Sequence, residues 1–359
     1  MKILLVGDWK YEHYEQALAT GLTHHGADVV PFNISEWLRG GLLSRIQTKL
    51  IDGPIIWRMN QALIKAAKCH RPDTTFLSLP IFVFPRTVAV LRRELPQMAI
   101  ATYNHDNPFE DGCRFFWRYY TGILPKTHMN FFARPSTVQL ASSLGVPRPR
   151  LLRQYYVDGL HYPLSNAGTK QAGIIFIGHY EPDGREEYCN ALLARGLPLR
   201  ILGPRWHDLA SRSPLRQVQG GPIYGSDYVR AICAAKISLV FLSRMNRDPY
   251  TTRCFEIPAC GGFMLAPRTA ELQALYEEGR EAEYFSSPEE LCEKAAWYLE
   301  HEEERRRIAA AGRERCVRDG HSNVDRAEQI LREVQELLAE RAGVNEQRHP
   351  LACGYTNLL

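Results

Sequence analysis

No CxxC pair, no long apolar run and little net charge are found in this sequence, and each absence removes a class of protein. Nine cysteines, an odd number, are scattered from Cys69 to Cys353 without paired spacing. That disfavours a disulfide framework or a cysteine-held metal site and suits a reducing, cytoplasmic compartment. Nowhere do eighteen apolar residues follow one another, so no membrane-spanning helix is expected. The opening MKILLVGDW breaks its apolar run at Gly7 and Asp8 and reads as a first strand rather than a secretory leader. A net charge of +4 over 359 residues is too small to argue for nucleic acid by itself, although it suits anionic small molecules. The loop after the first strand lacks GxGxxG, which argues against a dinucleotide-dependent dehydrogenase.

What remains has the pattern of an α/β protein long enough for two domains. Residues 3–6 form a strand. Residues 11–25 form a helix with Tyr14, Ala17, Leu18 and Leu22 on one face, and 28–32 return as a second strand. Residues 34–68 are mainly helical and basic, with Arg39, Arg45, Lys49, Arg58, Lys65 and Lys68, either a solvated face or a ligand-binding patch. Further strands are expected at 75–79, 99–103, 129–133 and 151–155. The second of these runs into Asn104-His105-Asp106-Asn107-Pro108, a turn sequence at the edge where open sheets bind ligands. The aromatic stretch 113–124 reads as a packed helix or a lid. A polar linker, SNAGTKQ at 165–171, separates this half from a second strand–loop–helix series that opens at 173–177. The expected divisions are 1–164, 165–324, a crossover helix at 325–342 and a tail at 343–359.

The most informative stretch is RMNRDPYTTRCFEIPACGGFMLA, beginning at Arg244. It follows AAKISLVFLS, an apolar run with the length and β-branched content of a buried parallel strand. Its polar residues therefore sit at a strand's C-terminal edge. Thr251 and Thr252 can cap a short helix that Gly261 and Gly262 end, and its first N–H groups make an anion site. Asp248 and Glu256 bracket that helix start with seven residues between them. The order of acid, helix start and acid matches a sugar, a diphosphate and a nucleoside.

On these residues the chain resembles the retaining glycosyltransferases of the two-domain GT-B type, the glycosyltransferase group 1 family. Asp248-x7-Glu256 before Gly261-Gly262 looks like their acid-x7-Glu motif, with Asp where the first residue is usually Glu. The wording TTRCFEIPACGGFML is most similar to the spore maturation CgeB-type branch. The resemblance implies two Rossmann-like domains facing a cleft, with a C-terminal helix crossing back to the first. It implies Glu256 on the ribose, Thr251, Thr252 and Arg253 on the diphosphate, and Asp248 on the sugar. Gly178, His179 and Arg185, in the loop after the second half's first strand, would also serve the diphosphate, and Tyr224 or Trp206 would flank the base. His105 and Asp106 would complete the catalytic set with Asp248, while Asp8, Lys10 and His13 would face the acceptor. Retention is implied, with no metal site and no cofactor beyond the nucleotide-diphosphate sugar as co-substrate. The acceptor stays open among glycan, protein and DNA. A nucleotide-sugar 2-epimerase of the same fold and a non-catalytic nucleotide-sugar-binding protein are the alternatives.

Overall fold

The computed structural model describes residues 1–164 and 172–348. The expected linker at 165–171 and residues 349–359 of the expected tail lie outside the described residues; residues 343–348, expected as tail, continue the crossover helix, which runs Asn323–Arg348. The chain divides into two units, Met1–Leu152 with Ala327–Leu359, and Arg153–Arg326. The first holds β1 (Lys2–Gly7), β2 (Asp28–Asn33), β3 (Thr74–Ser78), β4 (Ala99–Asn104), β5 (Met129–Phe132) and β6 (Pro149–Leu151). They form one parallel sheet in the order β2-β1-β3-β4-β5-β6. The second holds β7 (Ala172–Ile177), β8 (Leu199–Leu202), β9 (Gln219–Gly220), β10 (Ala235–Leu239), β11 (Met264–Pro267) and β12 (Glu283–Phe285). These too are parallel, in the order β12-β11-β10-β7-β8-β9.

The inner strands are buried along both faces, as a parallel sheet between helices requires, whereas edge strand β2 is half exposed. In β1, Leu4 and Val6 join Met59, Leu63, Val88 and Trp117 on one face. Ile3 and Leu5 join Leu18 and Leu22 of helix Ala17–His24 on the other. That second face is also covered by Ala327, Ile330, Val334 and Leu337 from the helix Asn323–Arg348, which begins in the second unit and continues in the first. In the second unit, Ile175 and Ile177 pack with Val229, Ile232, Phe255 and Ile257. Ile174 and Phe176 pack with Cys189, Leu192 and Leu291 on the opposite face.

Each sheet reverses its strand order at one place, between β1 and β3 and between β7 and β10. Connections leave in opposite directions there, opening a crevice at the strands' C-terminal ends.

Several elements differ from the sequence reading. The helix expected over 11–25 is split, with a π-turn at Glu12–Gln16 preceding Ala17–His24 and Tyr14 at a non-helical φ of −108° and ψ of −110°. The strand expected at 151–155 lies at Pro149–Leu151 instead, because its ladder to β5 pairs Pro149 with Asn130 and Leu151 with Phe132. The apolar run over 234–243 is ladder-bonded only as Ala235–Leu239. Its last residues descend into the loop that carries Arg244 and Asp248.

Candidate active site

The crevice of the second unit is built from the loop after β7 and the loop after β10. Close backbone approach fixes the first. Gly203, at the end of β8, has a φ of +154°, and a Cβ there would stand 2.1 Å from the carbonyl oxygen of Gly178. The same Gly178 oxygen accepts the indole N–H of Trp206 at 2.8 Å. Trp206 is 1% exposed and packs on Phe176 and Tyr180, so it is a core residue and not a surface against which a base could stack.

Arg185, which opens the helix Arg185–Ala194, is buried. Its Nε and one terminal nitrogen grip Asp183 at 2.7 and 2.6 Å, and the other terminal nitrogen donates to the His179 carbonyl at 2.6 Å. Its fork is thus occupied by its own loop. Glu181, missed from sequence, closes the network: His179 Nε2 lies 2.6 Å from Glu181 Oε1 and Ser243 Oγ donates to Oε2 at 2.7 Å. Burial alone would raise the Glu181 pKa, but the hydrogen bonds from His179 and Ser243 and the charge of Arg185 outweigh it and bring the pKa down to about 2. Glu181 thereby ties the loop after β7 to the loop after β10, across the reversal of strand order.

On the other side of that crossing, Arg253 begins the helix Arg253–Ala259, and its Nε donates to the carbonyl of Ile177 at the end of β7. A Cβ on Gly178 would lie 3.2 Å from a terminal nitrogen of Arg253, so Gly178 and Arg253 are neighbours. The threonine cap takes a different form from the one expected. Thr252 holds the N-cap position with helical backbone and no side-chain cap, while Thr251 Oγ1 accepts the Arg253 N–H at 3.2 Å.

Glu256 is buried one turn further on and accepts the Tyr228 hydroxyl at 2.5 Å. Burial, with Glu256 adding to it, drives the Tyr228 phenol well above its ordinary pKa, so it stays a donor. His161 Nδ1 accepts the Val157 N–H at 2.8 Å, which puts the neutral ring's proton on Nε2, 3.9 Å from Glu256 Oε1. Burial lowers the His161 pKa, against the pull of Glu256. Asp248 lies in the loop after β10, its N–H bonded to the Ser243 carbonyl at 2.9 Å. Tyr224 is exposed, just before the helix Gly225–Ala234. A cavity of about 290 Å³ lies instead on the Arg185 side, lined by Asp183, Arg185, Tyr188, Phe241, Arg244 and Arg268 among others.

The remaining expected residues belong to the first unit, at the C-terminal ends of its strands. His105 stacks on Tyr14 at 4.9 Å, and His13 lies 4.2 Å from the same ring. Asp106 donates its N–H to Asn104 Oδ1 at 2.8 Å. Lys10 stands over the Tyr11 ring. Partial desolvation, and then the nearby Glu15 carboxylate, raise the Asp8 pKa against Lys10. Glu15 was missed. It is 4% exposed and accepts from the Ser78 hydroxyl at 2.7 Å and the Trp9 N–H at 3.2 Å, spanning β1 and β3. A signal was present, for Glu15 shares a helix face with Leu18 and Leu22 at i, i+3 and i+7. For Tyr228 and His161 there was none, since their pairing with Glu256 spans long stretches of chain. Among the described residues, no group of three His, Cys, Asp or Glu is placed to hold a metal ion.

Residues 185–332 match the family model described as glycosyl transferase-like. No curated protein matches the sequence. Among solved structures, the chain is similar to a sucrose-phosphate synthase from Thermosynechococcus elongatus, with a TM-score of 0.71 and 13% identity, covering 95% of this chain and 100% of that one. The Anabaena protein HepE, solved in complex with UDP-glucose, gives 0.69 and 12%, covering 94% and 100%. A putative UDP-N-acetylglucosamine 2-epimerase from Listeria monocytogenes gives 0.58 and 12%, covering 94% and 97%. The two parallel six-stranded sheets are thus those of the GT-B fold, and the glycosyl transferase-like match lies over residues 185–332.

Proposed function

We propose that the protein transfers a glycosyl group from a nucleotide-diphosphate sugar, with retention and without a bound metal, and that it stands nearest the CgeB-type branch. The observation that carries this reading is the meeting of Arg253, Gly178 and buried Glu256 at the crossing of β7 and β10. In this reading Glu256, steadied by Tyr228, accepts the ribose hydroxyls, and Arg253 with the Thr251–Thr252 backbone receives the diphosphate. Negative charge grows on that diphosphate as the glycosyl bond breaks, so a fixed guanidinium beside it stabilises the departing group. Asp248 holds the sugar, and the leaving phosphate guides the acceptor's proton. His105 and Asp106 are assigned to the sugar, and Asp8, Lys10 and His13 to the acceptor. The UDP-glucose bound by the Anabaena protein makes a uridine donor the first to test.

The test is a thermal-shift panel of UDP, GDP, CDP and dTDP sugars, followed by product analysis with and without acceptors. One donor class should stabilise the protein, by about 2.7 kcal/mol when present at a hundredfold its Kd. Glu256→Ala should weaken that donor's binding at least about tenfold, the scale of a lost charge-assisted hydrogen bond. No shift with any nucleotide sugar would overturn the reading. A product epimerised without acceptor would turn it into the 2-epimerase, and binding without turnover into a carrier of nucleotide sugars.

A further inference from the structure

In the first unit, the helix Leu42–Leu50 turns the wrong side outward for a part of a closed core. At about 100° per residue, Leu42, Leu43, Ile46 and Leu50 share one stripe, and each is between 43% and 74% exposed. The inward face is small and polar. Ser44 is buried and donates to the Leu38 carbonyl at 2.6 Å, and Thr48 donates to the Ser44 carbonyl at 2.9 Å.

The stripe is not isolated. Arg118 donates to the Leu50 carbonyl and lies 4.0 Å over the ring of Phe115, which is itself exposed. Asp52 accepts from both the Trp57 indole at 2.6 Å and the Tyr119 hydroxyl at 2.8 Å, so half-exposed Trp57 joins the same surface. Between residues 37 and 58, Arg39, Arg45, Lys49 and Arg58 face a single acid, Asp52, and that acid is already engaged.

We infer that this face docks on an anionic phospholipid surface. An apolar stripe flanked by basic residues and bordered by tryptophan and phenylalanine is the arrangement that settles at the boundary between headgroups and acyl chains. The leucines enter the boundary, and the arginines and lysine meet the phosphates. A protein partner would be expected to present acids to four cations; a lipid surface does so without any particular sequence. No helix among the described residues is long and apolar enough to cross a membrane, so the contact is peripheral. This inference stands independently of the proposed transfer reaction.

The experiment is co-sedimentation of the full chain with vesicles of phosphatidylcholine alone and of phosphatidylcholine with phosphatidylglycerol. Partitioning should be at least about tenfold stronger on the anionic vesicles and should fall as salt rises. Leu43→Asp combined with Ile46→Asp should lower it by about tenfold or more, with an unchanged melting temperature because both side chains are exposed. Lys49→Glu should act in the same direction without touching the apolar stripe. Equal partitioning on the two vesicle types would overturn the inference, as would a double variant that binds as well as the parent. A concentration-dependent dimer in light scattering that the same substitutions abolish would assign the face to a second copy instead. Retention on DNA unaffected by anionic vesicles would assign it to nucleic acid.

Discussion

Arg185 and Arg253 approach the same glycine loop from opposite sides, and their surroundings separate their roles. Arg185 is paired with Asp183, and the two side chains are 4% and 5% exposed. Arg185→Ala would leave Asp183 buried without its counter-charge, which should cost roughly 3–5 kcal/mol of stability, read as a lower urea midpoint. Arg253 is partly exposed and bonds mainly to one carbonyl. Arg253→Ala should cost less stability but should weaken nucleotide-sugar binding at least about tenfold, as expected when a charged hydrogen-bond donor is lost. Equal stability losses in the two variants, with donor affinity unchanged in the second, would assign both arginines to the scaffold. The place of each arginine, at the helix start that follows a strand, was legible in the sequence. The occupancy of the Arg185 fork was not, because an Asp two positions earlier pairs with it only when the loop folds back on itself.

At the scale of elements, the site depends on how closely two strand ends approach. Gly203 permits the contact between the loops after β7 and β8, and Gly203→Ala would introduce a methyl 2.1 Å from a backbone oxygen at a φ that only glycine adopts readily. The expected loss is roughly 3 kcal/mol or more, measured by equilibrium unfolding. A loss below about 1 kcal/mol would mean that the loops separate cheaply. Sequence patterning located both strands, since their apolar runs end in glycine. It did not show that these two glycines touch, which depends on β7 and β8 being neighbours. The helix after β1 teaches the complementary lesson. Of the face read from Tyr14, Ala17, Leu18 and Leu22, the last three are buried, whereas Tyr14 lies in the π-turn at Glu12–Gln16, whose Glu15 reaches Ser78 on another strand.

For the whole molecule, acid should act first through buried imidazoles. Burial lowers the His321 pKa to about 4, and the Arg326 charge beside it acts in the same direction. Burial likewise lowers His128 to about 4. Each native ring stays neutral where an unfolded chain, with a pKa near 6.5, takes up a proton. Stability is therefore fully present above about pH 6.5 and falls as pH drops toward 4, by about 3 kcal/mol for His321. Glu181 adds a second window with a carboxylate's sign. Its pKa of about 2 contributes stability that is present above its unfolded value and lost as pH falls from about 4.5 toward 2. Urea unfolding between pH 7.5 and 4.5 should show the first decline, and His321→Gln should flatten it. A parent whose midpoint does not change over that range would contradict the assignment.

The sequence by itself determined the alternation of strands and helices, the division of the chain into two halves, and the loop after each first strand as a place where polar residues gather. Those features follow from local periodicity and from glycine and proline, which act over a few residues. Only the tertiary structure decided that Trp206 is core, that Arg185 is held by Asp183, that Glu256 is shared with Tyr228 and faces His161, and that the Leu42–Leu50 helix turns its leucines outward. The burial of Trp206 and the meeting of Glu256 with His161 depend on which strands become neighbours in a parallel sheet. That choice is made by burying both faces of the sheet at once, an interaction between residues tens to hundreds of positions apart that no local pattern records.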